Sequence, residues 1–135
     1  MSPVFVDTSY LIALELAADD NHHVAVQHWH RTRSVIQTLV TTSYVLDETV
    51  THFNSRNYHA KAVKIGDNLL QSPAVQLVQI DESLFQEGWF YFKQHTDKRY
   101  SLTDCLSFVV MRQLSIQTAL TFDHHFVQAG YTVAP

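Results

Sequence analysis

The sequence predicts an α/β domain, a mostly parallel sheet of about five strands flanked by helices. Three observations carry this. Two apolar runs, Val4-Phe5-Val6 and Ala119-Leu120-Thr121-Phe122, each stop at a carboxylate, Asp7 and Asp123. Such β-branched and aromatic runs read as buried strands. Between them, short strand-like runs alternate with longer segments of helical periodicity, an order that calls for right-handed crossovers and a parallel sheet.

The elements follow in order. After Asp7, Thr8 or Ser9 is the expected cap of a helix over about 10–18 that carries Leu11, Ile12, Leu14 and Leu16. Asp19-Asp20-Asn21 ends it, and a more polar helix over about 22–33 is expected on the outside. The second strand centres on Thr38-Leu39-Val40-Thr41. Ser43 is the expected N-cap of a helix reaching about Asn54, with Leu46, Val50 and Phe53 on one stripe.

A turn over 54–57 leads to a helix over about 58–70 that turns Ala62, Ile65 and Leu69 inward, and Pro73 stops it. Val75 to Ile80 is the third strand. Asp81 caps a helix from Glu82 to about His95, with Phe85, Trp89 and Phe92 as the expected core set. A polar loop with Lys98 and Arg99 follows. Ser101-Leu102-Thr103-Asp104 has the form of a capping box and opens a helix to about Leu114. Then come the strand 117–120, a helical turn from His124, Gly130 and an edge strand over 131–133.

At 135 residues with 46% hydrophobic content, the chain suits one domain, residues 1–135. No apolar run approaches the roughly 20 residues needed to span a bilayer. Asp7 interrupts any secretory signal, and the single Cys105 excludes an internal disulfide, so the expected location is the cytoplasm. A net charge of -4 argues against a generic nucleic-acid binder, unless the acids gather at a metal whose charge reverses the local sign.

Ligands of open α/β sheets bind beyond the carboxyl ends of the strands. Asp7 and Asp123 fall there, and the helix starts that hold Glu48 and Asp104 are expected at the same edge. Each acid alone has an ordinary role, as a helix cap, a capping-box member, a solvated helix residue or a turn former. Together they repel one another, and a hard divalent cation relieves that repulsion. Bound there, Mg²⁺ would activate a water for phosphodiester hydrolysis. Thr8, Ser9, Thr103 and Thr121 supply hydroxyls to orient ligands or to meet phosphate.

Four segments carry a family resemblance. They are Val4-Phe5-Val6-Asp7-Thr8-Ser9, Ser43-Tyr44-Val45-Leu46-Asp47-Glu48-Thr49, Ser101-Leu102-Thr103-Asp104-Cys105 and Leu120-Thr121-Phe122-Asp123-His124-His125-Phe126. In order and spacing they resemble the four acidic motifs of PIN domains, in particular the stand-alone VapC-type toxin ribonucleases. The resemblance implies a three-layer α/β/α sandwich and a Mg²⁺- or Mn²⁺-dependent endoribonuclease acting on single-stranded or structured RNA. It implies Asp7, Glu48 and Asp104 as core acids and Asp123 as the fourth. It also implies hydroxyl positions at Thr8 or Ser9 and Thr121, a homodimer, and a protein antitoxin as partner.

Other signals weigh less. Nine histidines invite zinc, yet no pair stands at i, i+4 on one helix face and no cysteine pair assists. His124, beside Asp123, is the histidine nearest to a phosphate role, and Phe126 reads as the anchor of that turn. Cys105 reads as a small buried residue. Lys98 and Arg99 are candidates for the RNA backbone, against an ordinary solvated loop. The alternative function is a non-catalytic PIN-fold or receiver-like module that binds metal or a partner. A receiver carries a pair of acids after its first strand, where this chain has one. A haloacid dehalogenase phosphatase needs Asp-x-Asp, where this chain has Ser9.

Overall fold

The computed structural model describes residues 3–135. In chain order the elements are β1 (Val4–Val6), α1 (Thr8–Glu15), α2 (His22–Thr32), β2 (Leu39–Thr42), α3 (Ser43–Ser55) and α4 (His59–Gln71). They continue with β3 (Val75–Val78), α5 (Glu82–Gln94), α6 (Leu102–Gln113), β4 (Thr118–Leu120), α7 (His125–Gln128) and β5 (Thr132–Ala134). The five strands form one sheet in the order β3-β2-β1-β4-β5. Every pairing is parallel.

That order explains the location of the site. From β1 the chain steps outward to β2 and β3, then returns across the sheet to β4 and β5. Right-handed crossovers therefore put α1–α4 on one face and α5–α7 on the other, a three-layer sandwich. The direction of winding reverses between β1 and β4, and the crevice beyond their carboxyl ends is where such sheets bind ligands. Phe5 pairs with Val40 on one side and Ala119 on the other, all fully buried. Phe126 packs on Phe5 and edge-on against Phe108, which fixes the turn after β4. Burying a side chain of this size contributes about 1.5–3 kcal/mol.

The local signals held in most places. Asp81 caps α5 through Leu84 N–H, and Ser101 with Asp104 makes a reciprocal capping box at α6. Cys105 is buried, as are Ala62, Ile65 and Leu69 on α4. Two caps shift by one or two residues. Asp7, not Thr8 or Ser9, caps α1, and Thr42, not Ser43, caps α3 through Val45 N–H. In each case the residue directly before the helix takes the role, and Ser43 instead accepts from Ile80 N–H at 3.0 Å.

The larger correction concerns α5. Trp89 and Phe92 are 42% and 39% exposed, and Phe90 is 58% exposed, so they are not core. The inward face is Leu84, Gly88 and Tyr91. A Cβ on Gly88 would lie 2.9 Å from Leu106 Cγ, so α5 approaches α6 more closely than a side chain allows. That close approach decides which face turns in. Aromatic spacing alone did not distinguish the two faces.

Candidate active site

Asp7, Glu48, Asp104 and Asp123 line one cavity of about 340 Å³, together with Thr8, Ser9, Ser101, Arg99 and His125. The four acids come from the end of β1, the second turn of α3, the first turn of α6 and the loop after β4. Their separation in sequence is large, and the winding reversal between β1 and β4 brings them together.

Each acid is held through one oxygen. Asp7 Oδ2 accepts from the Ser9 hydroxyl and the Thr121 hydroxyl, both at 2.9 Å. Glu48 Oε1 accepts from the Thr8 hydroxyl at 2.8 Å. Asp104 Oδ2 accepts from Ser101 N–H at 3.1 Å and lies 3.1 Å from His125 Nδ1. Asp123 Oδ1 accepts from His125 N–H at 2.9 Å and lies 3.3 Å from the same imidazole nitrogen. In all four, the second oxygen has no hydrogen-bond partner among the described residues. His52 Nε2 is the only occluded side-chain polar atom without a partner there, so the free oxygens of Asp7, Asp104 and Asp123 are open to the cavity.

The ordinary and the chemical roles thus coexist. Asp7 caps α1 and Asp104 completes a capping box, each with one oxygen, and each still presents the other. Asp7 is 4% exposed, and burial pushes its pKa up to about 6. The hydroxyls of Thr121 and Ser9 oppose that rise, and the Asp104 charge adds to it. Burial likewise raises Asp104, with the Asp123 charge adding to it, against the Ser101 N–H and His125. Burial thus makes ionisation of these two acids costly unless positive charge stands beside them.

The other expected residues divide. Thr8, Ser9 and Thr121 are in the site, with their hydroxyls directed at carboxylates. Thr103 is buried at the start of α6, where its carbonyl accepts from Ser107. Arg99 lines the cavity. Lys98 lies in an adjoining groove, 3.5 Å from Asp97.

His124, singled out from the sequence, has a side chain 76% exposed, and His125 takes the inward position. Asp123, His124 and His125 bring one ligand atom each within 4.8 Å of one another, and of the three Asp123 and His125 line the cavity. The sequence held a signal for His125. An Asp at a strand end commonly receives the N–H two residues on, which turns that residue back toward it.

A doubly wound α/β domain with four carboxylates at its switch point is the architecture of a metal-assisted phosphodiesterase. Residues 4–130 match the PIN domain family, and the chain belongs to that family. It is 36% identical to the 23S rRNA-specific endonuclease VapC20 of Mycobacterium tuberculosis over 128 residues, 95% of each chain. The crystal structure of M. tuberculosis VapC20, described as a sarcin–ricin loop cleaving toxin, superposes with a TM-score of 0.87 at 34% identity over 97% of both chains. VapBC2 from Rickettsia felis, bound to a DNA fragment from its promoter, shares the fold at 10% identity, with a TM-score of 0.70 over 98% of each chain.

Proposed function

We infer that this chain is a divalent-metal-dependent endoribonuclease, the toxin of a type II toxin–antitoxin pair. One observation carries the reading: four acids, each anchored through one oxygen, leave the other free around a single cavity. The family and the likeness to VapC20 support RNA as substrate, with a structured loop as the substrate class.

The donor set fits Mg²⁺ or Mn²⁺, which are hard cations that take carboxylate oxygens and keep several waters. Bound there, such a cation supplies the Lewis acidity that lowers the pKa of a water and offsets charge on the phosphate. Asp7, Glu48, Asp104 and Asp123 are the proposed ligands and catalytic acids. Ser9 and Thr121 hold Asp7 in one orientation, and Thr8 does the same for Glu48. His125 and Ser101 N–H steady Asp104. Arg99 at the cavity wall offers a guanidinium to phosphate oxygens. A protein antitoxin and a second copy of the chain are the proposed partners, in the cytoplasm. Among the described residues no helix is long and apolar enough to cross a membrane.

The test is cleavage of a labelled RNA carrying an unpaired loop. Cutting is expected with Mg²⁺ or Mn²⁺ and none with EDTA. Asp104→Asn should lower the rate by roughly two orders of magnitude with an unchanged circular dichroism spectrum. A folded Asp104→Asn protein that cuts at the wild-type rate ends this reading.

A further inference from the structure

Beside the acidic cavity runs a groove of about 750 Å³ with a different chemistry. The chain has nine Lys and Arg, and three of them, Lys93, Lys98 and Arg99, line this one groove, with no acid among its walls. On the other side of the acids the balance differs, because the groove that holds Arg56 is also lined by Asp47 and Glu48. Of these two grooves beside the acids, only the first presents cations with no acid among its walls.

The groove and the acidic cavity meet at Arg99, which lines both. Tyr100, in the groove wall, stands edge-on to the His125 ring at 5.4 Å, and His125 is bonded to Asp104. Phe92 also lines the groove and is 39% exposed. Trp89 backs it in a stacked pair, with centroids 5.6 Å apart and planes 13° apart. Among the described residues Lys98 pairs only with the exposed Asp97, a contact of little strength in solvent.

We propose that this groove grips the unpaired RNA flanking the scissile phosphate, with Lys93, Lys98 and Arg99 on the backbone and a nucleobase stacked on Phe92. Exposed aromatics interleaved with cations suit single-stranded nucleic acid, because an unpaired base offers its face while the backbone tracks the charge. A protein partner would favour a core depleted of charge. The proposal rests on the endoribonuclease reading and adds where the substrate lies and why it is unpaired.

The experiment measures binding of a fluorescein-labelled RNA hairpin with an unpaired loop to the full chain in EDTA, where nothing is cut. Phe92→Ala should weaken affinity about tenfold, and Phe92→Trp should retain it. Lys93→Gln, Lys98→Gln and Arg99→Gln should each flatten the dependence of log affinity on log salt by about 0.7. Unchanged affinity in Phe92→Ala, or an unchanged salt slope in all three charge variants, overturns the proposal. So does a Phe92→Ala protein that passes from dimer to monomer in sedimentation with its RNA affinity intact, since that face then belongs to a second copy.

The two readings fail separately. Groove-dependent binding without Mg²⁺-dependent cleavage removes the nuclease and keeps the groove. Cleavage by a protein whose binding ignores the groove does the reverse.

Discussion

The Thr121 hydroxyl donates to Asp7 Oδ2 at 2.9 Å across 114 residues of sequence. The same oxygen of Thr121 accepts from Asp123 N–H at 2.9 Å. One side chain thereby ties the acid after β1 to the loop that carries the acid after β4. Thr121 is 2% exposed, so neither bond is replaced by solvent when the hydroxyl is lost.

Thr121→Val keeps the volume and removes both bonds. It should cost about 1–2 kcal/mol of stability, because the part-buried Asp123 N–H loses its acceptor and Asp7 Oδ2 keeps only its Ser9 donors. RNA cleavage should fall by roughly 10- to 100-fold, as it does when groups that orient ligands are removed. A Thr121→Val protein with wild-type urea midpoint and rate would show that neither bond matters.

Asp7 gives the metal-free protein a pH dependence of defined sign. Its folded pKa of about 6 lies above the ordinary 3.8. Between those values the folded state keeps a proton that the unfolded chain releases. Stability from this group is thus complete below pH 3.8 and lost as pH rises through about 6, by up to about 3 kcal/mol. Asp7→Asn keeps an oxygen to cap α1 and to accept from Ser9 and Thr121. In EDTA it should be more stable than wild type at pH 8, with a flatter profile between pH 4 and 8. Parallel urea-midpoint profiles for the two proteins would contradict this account.

Divalent cation should stabilise the fold by mass action. At a hundredfold excess over its dissociation constant, Mg²⁺ or Mn²⁺ should add about 2.7 kcal/mol, a rise in Tm on the order of 5–10 °C. The rise should shrink sharply in Asp7→Asn and Asp104→Asn. A cation-independent melting curve for the wild type, with no heat of binding by calorimetry, would count against the carboxylate site.

Gly88 offers a test remote from the acids. Helix propensity alone makes replacement of this glycine by any residue but proline favourable. The contact with Leu106 has the opposite sign, since a Cβ would lie 2.9 Å from Leu106 Cγ. Gly88→Val should therefore destabilise the protein by roughly 1–3 kcal/mol. A stabilised Gly88→Val protein in urea would mean that α5 has room to retreat.

Much of this protein is legible in its order of residues. The strand runs that end at Asp7 and precede Asp123, the Ser101–Asp104 capping box, the Asp81 cap and the alternation of strand and helix are all local patterns. They depend on neighbours within a few residues, so composition and spacing specify them. From these alone come the parallel sheet, the edge at which the acids emerge and the four acids themselves.

Other features depend on contacts between distant segments, and only the tertiary structure decides them. Trp89 and Phe92 of α5 face out, while Phe85 stays half-buried beside Tyr44, because α5 closes on Leu106 at Gly88. Phe126 is locked against Phe5 and Phe108, which seats the turn that carries Asp123 and His125 on the sheet. The hydroxyls that hold one oxygen of Asp7 and of Glu48, from Thr121 and Thr8, are delivered by packing from distant segments. Sequence patterns repeat with the period of a helix or a strand, and two faces of equal period remain equivalent until a second element packs against one of them.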